Sequence, residues 1–233
     1  MIIYGKHAAL AVLANPMRKI KRVMVTKNTQ GEIGEKAFSA IKNLQITDSK
    51  KLDDLLPRDA VHQGIAVECE PLAQLALQDW LKAEHNKPVL LLDQVSDPHN
   101  VGAILRSAAA FEAGAVIATD RNAPTESGVM AKAASGALEI MPLITVGNLV
   151  QAIEHLKKSG YWIYGLDGEA KQTIAEAKLS GKIALVLGAE GRGLRRLTAE
   201  RCDALIKLPI SPKMESLNVS NAAAVALYEL YRL

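Results

Sequence analysis

Cysteine is scarce in this chain: only Cys69 and Cys202 occur, far apart and in neither metal-ligand nor redox spacing. That excludes a disulfide framework, a zinc cluster and a dithiol switch, and it fits a reduced, cytoplasmic protein. Metal-binding clusters and a cysteine nucleophile are also missing, so no metal is expected. No apolar run approaches the roughly 20 residues that a membrane span needs. The opening Met1-Ile2-Ile3-Tyr4-Gly5-Lys6-His7 meets a charge too soon for a signal peptide. Acid is absent from the first part of the chain: Lys6, Arg18, Lys19, Lys21, Arg22 and Lys27 all precede Glu32, the first carboxylate. Such a segment suits phosphate, because each contact releases condensed counterions, but it suits a solvated helix end as well. The net charge of +3 decides little between them.

What is present is ordinary globular material. The 233 residues, 49% hydrophobic and 23% charged, can bury one large core or two small ones. Residues 4–14 read as a helix ended by Asn15-Pro16, Arg22–Thr26 as a strand, and 32–44 as a helix. Gln45–Thr47, a helix near 49–56 and a strand at Gly64–Cys69 complete a small α/β unit over residues 1–71. The polar, helix-capable stretch 72–87, bounded by prolines, reads as a linker. From residue 88 a second unit begins with Val89-Leu90-Leu91-Leu92, a continuous apolar run of the kind buried on both faces of a sheet. A helix at about 101–113 with Asn100 as N-cap, a strand at 115–119 and small-residue helix at 127–137 follow. After them come a helix at 148–159, strands at 161–165, 183–188 and 204–208, and a final helix at 217–231. The alternation predicts a mostly parallel sheet with its ligands at the carboxyl ends of the strands.

Three segments carry the chemistry. Asp97-Pro98-His99-Asn100-Val101-Gly102 with Arg106, then Gly188-Ala189-Glu190-Gly191-Arg192-Gly193-Leu194, then Ser216-Leu217-Asn218-Val219-Ser220, each lie beyond a strand-like run. All three can therefore gather at one sheet edge. The loop after the first strand of this unit, Asp93–Pro98, carries no G-x-G-x-x-G, which argues against a nucleotide-linked oxidoreductase. The later glycine cluster contains Glu190, and a carboxylate repels pyrophosphate, so a neutral or cationic ligand fits better there. Periodicity alone makes Arg106 a solvated helix residue, His99 an isolated histidine, and Ser216, Asn218 and Ser220 helix caps. Capping leaves room for ligand binding at the same helix start.

As a set, N-x-G-x-x-x-R (Asn100, Gly102, Arg106), L-G-x-E-G-x-G and S-L-N-V-S resemble the SpoU-class 2′-O-ribose RNA methyltransferases of the SPOUT superfamily over about residues 89–232. Ile3–Ala8 and Val61-His62-Gln63-Gly64 are similar to the L30e-like RNA-binding domain of the branch that methylates a guanosine ribose of 23S rRNA. The resemblance implies S-adenosylmethionine as methyl donor, a homodimer, and a trefoil knot, which physical reasoning alone would not propose. It also implies Asn100, Arg106, Glu190, Ser216 and Asn218 as catalytic residues, with Gly188, Gly193, Leu208, Ile210 and Leu217 at the cofactor. Lys213-Met214-Glu215 is bulkier and more charged than that branch leads one to expect. The remaining alternatives are a tRNA ribose, an rRNA site linked to antibiotic resistance, or a non-catalytic RNA-binding protein.

Overall fold

The computed structural model describes residues 1–39, 41–83, 85–120 and 124–232. Residue 40 of the helix expected over 32–44, and residue 84 of the expected linker, lie outside them. The first sheet is built from β1 (Ile2–Tyr4), β2 (Ile20–Thr26), β3 (Leu44–Thr47) and β4 (Ile65–Cys69), in the order β1-β4-β2-β3. β4 pairs antiparallel with both neighbours, and β2 pairs parallel with β3. Between the strands lie α1 (Lys6–Ala14), α2 (Lys27–Ile33) and α3 (Ser49–Leu55). The helix expected at 32–44 is displaced. Thr26 caps α2 by accepting from the Thr29 amide, and Gly34 at φ 92° ends it. Among the described residues, a 3-10 turn, Glu35–Phe38, follows in its place. Gly34 is the cause, since a left-handed φ stops a helix and is open to glycine at little cost.

The stretch that follows is not slack. Its helix α4 (Leu77–Lys82) buries Leu77 and Trp80, and Trp80 stacks on His85 at 4.1 Å. The second sheet uses β5 (Val89–Asp93), β6 (Ala115–Thr119), β7 (Leu143–Val146), β8 (Tyr161–Leu166), β9 (Gln172–Thr173), β10 (Lys182–Gly188) and β11 (Ala204–Lys207). Its order among the described residues is β7-β6-β5-β10-β8-β11-β9, with every pairing parallel. The helices are α5 (Pro98–Ala110), α6 (Gly128–Ala134), α7 (Leu149–Lys158), α8 (Arg196–Arg201) and α9 (Val219–Tyr231). Alternation along β5 shows why its run is continuously apolar. Leu90 and Leu92 enter one core with α5, α6 and α9, whereas Val89 and Leu91 enter the other with α4 and α7. Strand residues point alternately to the two faces, and each such leucine contributes about 1.5–3 kcal/mol by leaving water. β1, β7, β9 and α8 were not expected. They are short, and a four-residue edge strand behind Pro142 offers little periodicity.

The two units share one of these cores. Ile3, Ala8, Ala9, Val12, Val23 and Val67 of the first unit pack in the same cluster as Val101, Met130, Ala134 and Leu138 of the second. Polar groups join them as well. Arg18, in the turn before β2, gives Nε to both carboxylate oxygens of Glu139 (3.1 and 2.9 Å) and Nη1 to the Glu70 carbonyl (2.9 Å). Its Nη2 meets Glu139 at 2.7 Å and also pairs with Glu126. The basic opening segment is thus largely spent on internal pairs: Arg22 on Glu68, Lys6 on Glu32, and Lys19 and Lys21 on Glu70. Burial pulls the Arg18 pKa down, but the hydrogen bonds and charges of Glu139 and Glu126 outweigh it and drive it upward.

Candidate active site

The register of the central strands fixes where the site forms. Gly188, ending β10, lies opposite Asp93, ending β5. β10 runs between β5 and β8, the point where successive connections leave the sheet in opposite directions. Ligands of open parallel sheets bind at such a switch point, beyond the carboxyl ends of the strands.

Asp97, rather than Asn100, caps α5. Its Oδ1 accepts from the His99 amide (2.9 Å) and Pro98 takes the first helical position. A carboxylate and a proline fit those two places well, which moves Asn100 inside the first turn and frees its amide. Asn100 Nδ2 donates to Glu190 Oε1 (3.0 Å). Asn218 Nδ2 donates to the same oxygen (2.5 Å) and to Asn100 Oδ1 (3.0 Å). The Val219 amide points at Glu190 Oε1 as well (3.4 Å). Asn218 is the cap of α9, where its Oδ1 accepts from the Ser220 amide (2.9 Å) and hydroxyl (2.6 Å). Glu190 therefore gathers three donors from two other chain segments, the starts of α5 and α9, through one oxygen. The partial positive charge at the start of α9 favours a carboxylate there.

Beside this clasp lies a cavity of about 300 Å³. It is lined by all five residues expected at the cofactor, Gly188, Gly193, Leu208, Ile210 and Leu217, and by Ser216. A Cβ on Gly188 would collide with the carbonyl of Gly193, where Ala189 and Gly193 bridge back on themselves. Only glycine allows so tight a loop. Asp167, Glu169, Glu190 and Glu215 also line the cavity, with Lys207 as the cation. Carboxylates outnumber the cation four to one, so the lining favours a positively charged ligand. This is a cradle that fits a sulfonium and an ammonium better than a phosphate.

Two features escaped sequence reading. Asp167 and Glu169 follow β8, and their place at the carboxyl edge was the available signal. Asp93 ends the first apolar run of the sheet with its side chain fully buried. A lone acid closing a buried strand was the clue to it. Conversely, the structure does not bring Arg106 to the clasp. It is exposed on α5, six residues beyond Asn100, which at 3.6 residues per turn puts it on another face of the helix. His99 is exposed and uses only its backbone amide here.

Fold and site together define an α/β protein with a glycine-lined, acid-rimmed ligand cleft at the carboxyl edge of a parallel sheet. The chain belongs to the SpoU rRNA Methylase family, whose model matches residues 87–228. A second model, RNA 2′-O ribose methyltransferase substrate binding, matches residues 2–75. Among its relatives is the 23S rRNA (guanosine-2′-O-)-methyltransferase RlmB of Photobacterium profundum, 42% identical over 99% of this chain and 97% of that protein. The RlmB of Coxiella burnetii is 43% identical over 99% and 94%. The SpoU methyltransferase AviRb from Streptomyces viridochromogenes, solved in complex with AdoMet, superposes with a TM-score of 0.83 at 21% identity. That match covers 100% of this chain and 89% of AviRb.

Proposed function

We propose that this protein transfers a methyl group from S-adenosylmethionine to the ribose 2′-hydroxyl of a guanosine in 23S rRNA. The observation that carries this reading is the clasp of Asn100, Glu190 and Asn218 beside a cavity lined by Gly188, Gly193, Leu208, Ile210 and Leu217. The RlmB relatives at about 40% identity support the guanosine and the 23S substrate. The donor supplies an activated sulfonium methyl, so the protein's work is alignment of two atoms and help with one proton.

The clasp residues do the aligning. Glu190 fixes the mouth of the glycine loop against the starts of α5 and α9. Ser216 lines the cleft at the entry to α9. Arg106 grips RNA phosphate and stabilises the developing alkoxide. A guanidinium stays charged at ordinary pH, so it serves as an electrostatic partner more readily than as a base.

The working form in this reading is a cytoplasmic homodimer. Arg106 stands exposed on α5, and Val225, Tyr228 and Tyr231 are exposed on α9, which packs against that helix. A second copy seated there covers these side chains and brings Arg106 to a partner's cleft. Residues 1–71 serve as the substrate-binding domain, 72–87 as linker and 88–233 as a methyltransferase domain with a trefoil knot.

The test is transfer of tritiated methyl from S-adenosylmethionine to purified 23S rRNA and to tRNA, with the modified nucleotide mapped. A 2′-O-methylguanosine in 23S rRNA is the expected product. Label in tRNA alone, or in another nucleotide, would overturn the substrate assignment.

A further inference from the structure

Arg18 and its two carboxylates play no part in the chemistry above, yet they are the most buried ionic group among the described residues. The side chains of Arg18, Glu139 and Glu126 are 0%, 3% and 9% exposed. They come from different units: Arg18 from the turn before β2, Glu126 from just before α6, and Glu139 from the 3-10 turn Ala137–Glu139. Around them, Asn15 Nδ2 donates to Glu139 Oε2 (2.8 Å), and the Leu72 amide donates to Glu126 Oε2 (3.0 Å). A surface tether between two independent units needs none of this. Burying three charges is costly unless their geometry is held closely.

Glycines show that the same contact tolerates no slack. A Cβ on Gly128 would strike the Ile2 carbonyl and the Tyr4 ring, so β1 rests directly on the first residue of α6. One turn further, α6 packs against α5 in the same way. A Cβ on Gly102 would lie 2.5 Å from the Met130 carbonyl and 2.6 Å from the Ala133 methyl. Gly102 is two residues from Asn100 and four from Arg106. On the flank, Gln63 Oε1 accepts both from the Lys6 amide (3.0 Å) and from Lys132 Nζ of α6 (2.8 Å). The first sheet, α6 and the catalytic helix α5 are therefore stacked with no filler between them.

We propose that Arg18 is a positioning residue for RNA, locking the N-terminal unit onto α6 so that RNA held by it reaches α5 in one orientation. The idea rests on the reading of residues 2–75 as a substrate-binding unit, but its structural half stands apart from it. Removal of Arg18 leaves Glu126 and Glu139 as two buried like charges with no cation between them, and their repulsion opens the contact. The N-terminal unit is then held to α6 by the shared apolar core and the Gln63 bridge without its ionic lock, and its orientation spreads.

Spin labels on Asp54→Cys and Lys158→Cys, in a full-length Cys202→Ala background, report the distance between the units by pulsed electron resonance. The unaltered latch is expected to give one narrow distance distribution. Arg18→Ala is expected to broaden it, and to raise the KM for 23S rRNA at least tenfold. S-adenosylmethionine affinity should stay within twofold, because the donor cleft lies on the far side of α5. A merely structural role would lower donor affinity in step. Should Arg18→Ala fail to fold, Gly128→Val separates the same surfaces from the other side, with the same two expected changes. A broad distribution in the parent protein, an unchanged distribution in the variant that folds, or parallel loss of donor affinity would each overturn the proposal. Absence of methylation by the parent protein would sink the substrate assignment, while the distances would still decide the latch.

Discussion

Asp93 holds Arg195 twice, accepting its backbone amide at 2.9 Å and its Nε at 2.6 Å. The carboxylate sits at the end of β5 with no exposed surface, and Arg195 is the residue that follows the glycine loop and caps α8. One buried acid thus pins the far end of the loop that lines the donor cleft.

Asp93→Asn keeps the shape but removes the charge. The amide can still accept one of the two bonds, and the guanidinium, half exposed, turns to water. Stability is expected to fall by about 1.5–3 kcal/mol, the usual worth of a hydrogen bond to a charged group. S-adenosylmethionine should bind at least about tenfold more weakly once the loop end is free. Chemical denaturation and calorimetric titration check both. Unchanged donor affinity would show that the loop is held by the sheet alone.

Glu190 offers a finer dissection. Glu190→Gln leaves a carbonyl oxygen that can accept from Asn100, Asn218 and Val219, but without charge and with a competing amide. Glu190→Ala leaves the donors of two side chains and one backbone group facing an empty place. Alanine is expected to weaken donor binding at least about tenfold and glutamine less than about threefold, since charge assistance roughly doubles such bonds. Equal loss in both variants would mean the charge itself, not the clasp, holds the ligand.

Arg106 carries the sharpest functional expectation. Exposed and outside the clasp, it can be replaced by alanine with a stability change of no more than about 0.5 kcal/mol. Turnover should nevertheless drop at least about a hundredfold, through loss of a charge at the developing oxyanion. Lysine should rescue poorly, because an ammonium lacks the two-pronged phosphate grip. Single-turnover methylation beside donor titration decides it: near-normal turnover of Arg106→Ala removes the residue from the mechanism.

Much of this site could be read along the chain. The three motifs stand beyond apolar runs, and parallel strands bring such loops to one edge, so pattern places the three segments together, while the resemblance to the SpoU class singled out Asn100, Glu190 and Asn218 within them. Their roles in the geometry do not. Asn100 looked like a cap because nothing local says that Asp97 and Pro98 already fill those places. Arg18 read as one of six basic residues, and only tertiary contact with Glu139, 121 positions away, removes it from solvent. The displaced helix at 32–44 turned on the φ of one glycine, Gly34. Short edge elements such as β7 carry too few residues to show a period.

Alkaline pH should expose a further weakness. Burial pushes the Tyr161 hydroxyl up to about 12 from the ordinary 10, with the His85 carbonyl as its nearest acceptor at 3.4 Å. Because its pKa is raised on folding, the stabilisation is complete below pH 10 and is lost as pH climbs from 10 toward 12. Tyr161→Phe should flatten the stability profile in that window, measured by denaturation at each pH. A Tyr161 phenolate that forms near pH 10 in the native protein would contradict this.

The clasp also sets a condition on time. Asn218 meets Glu190 across 28 positions and Asn100 across 118, so the donor cleft is among the most non-local features of the fold. Loop closure over such spans is paid before any contact rewards it, and contacts of this kind form late. Until residue 218 has been made and brought home, the strands can pair and the cores can fill, yet the growing polypeptide has no place to hold a methyl donor.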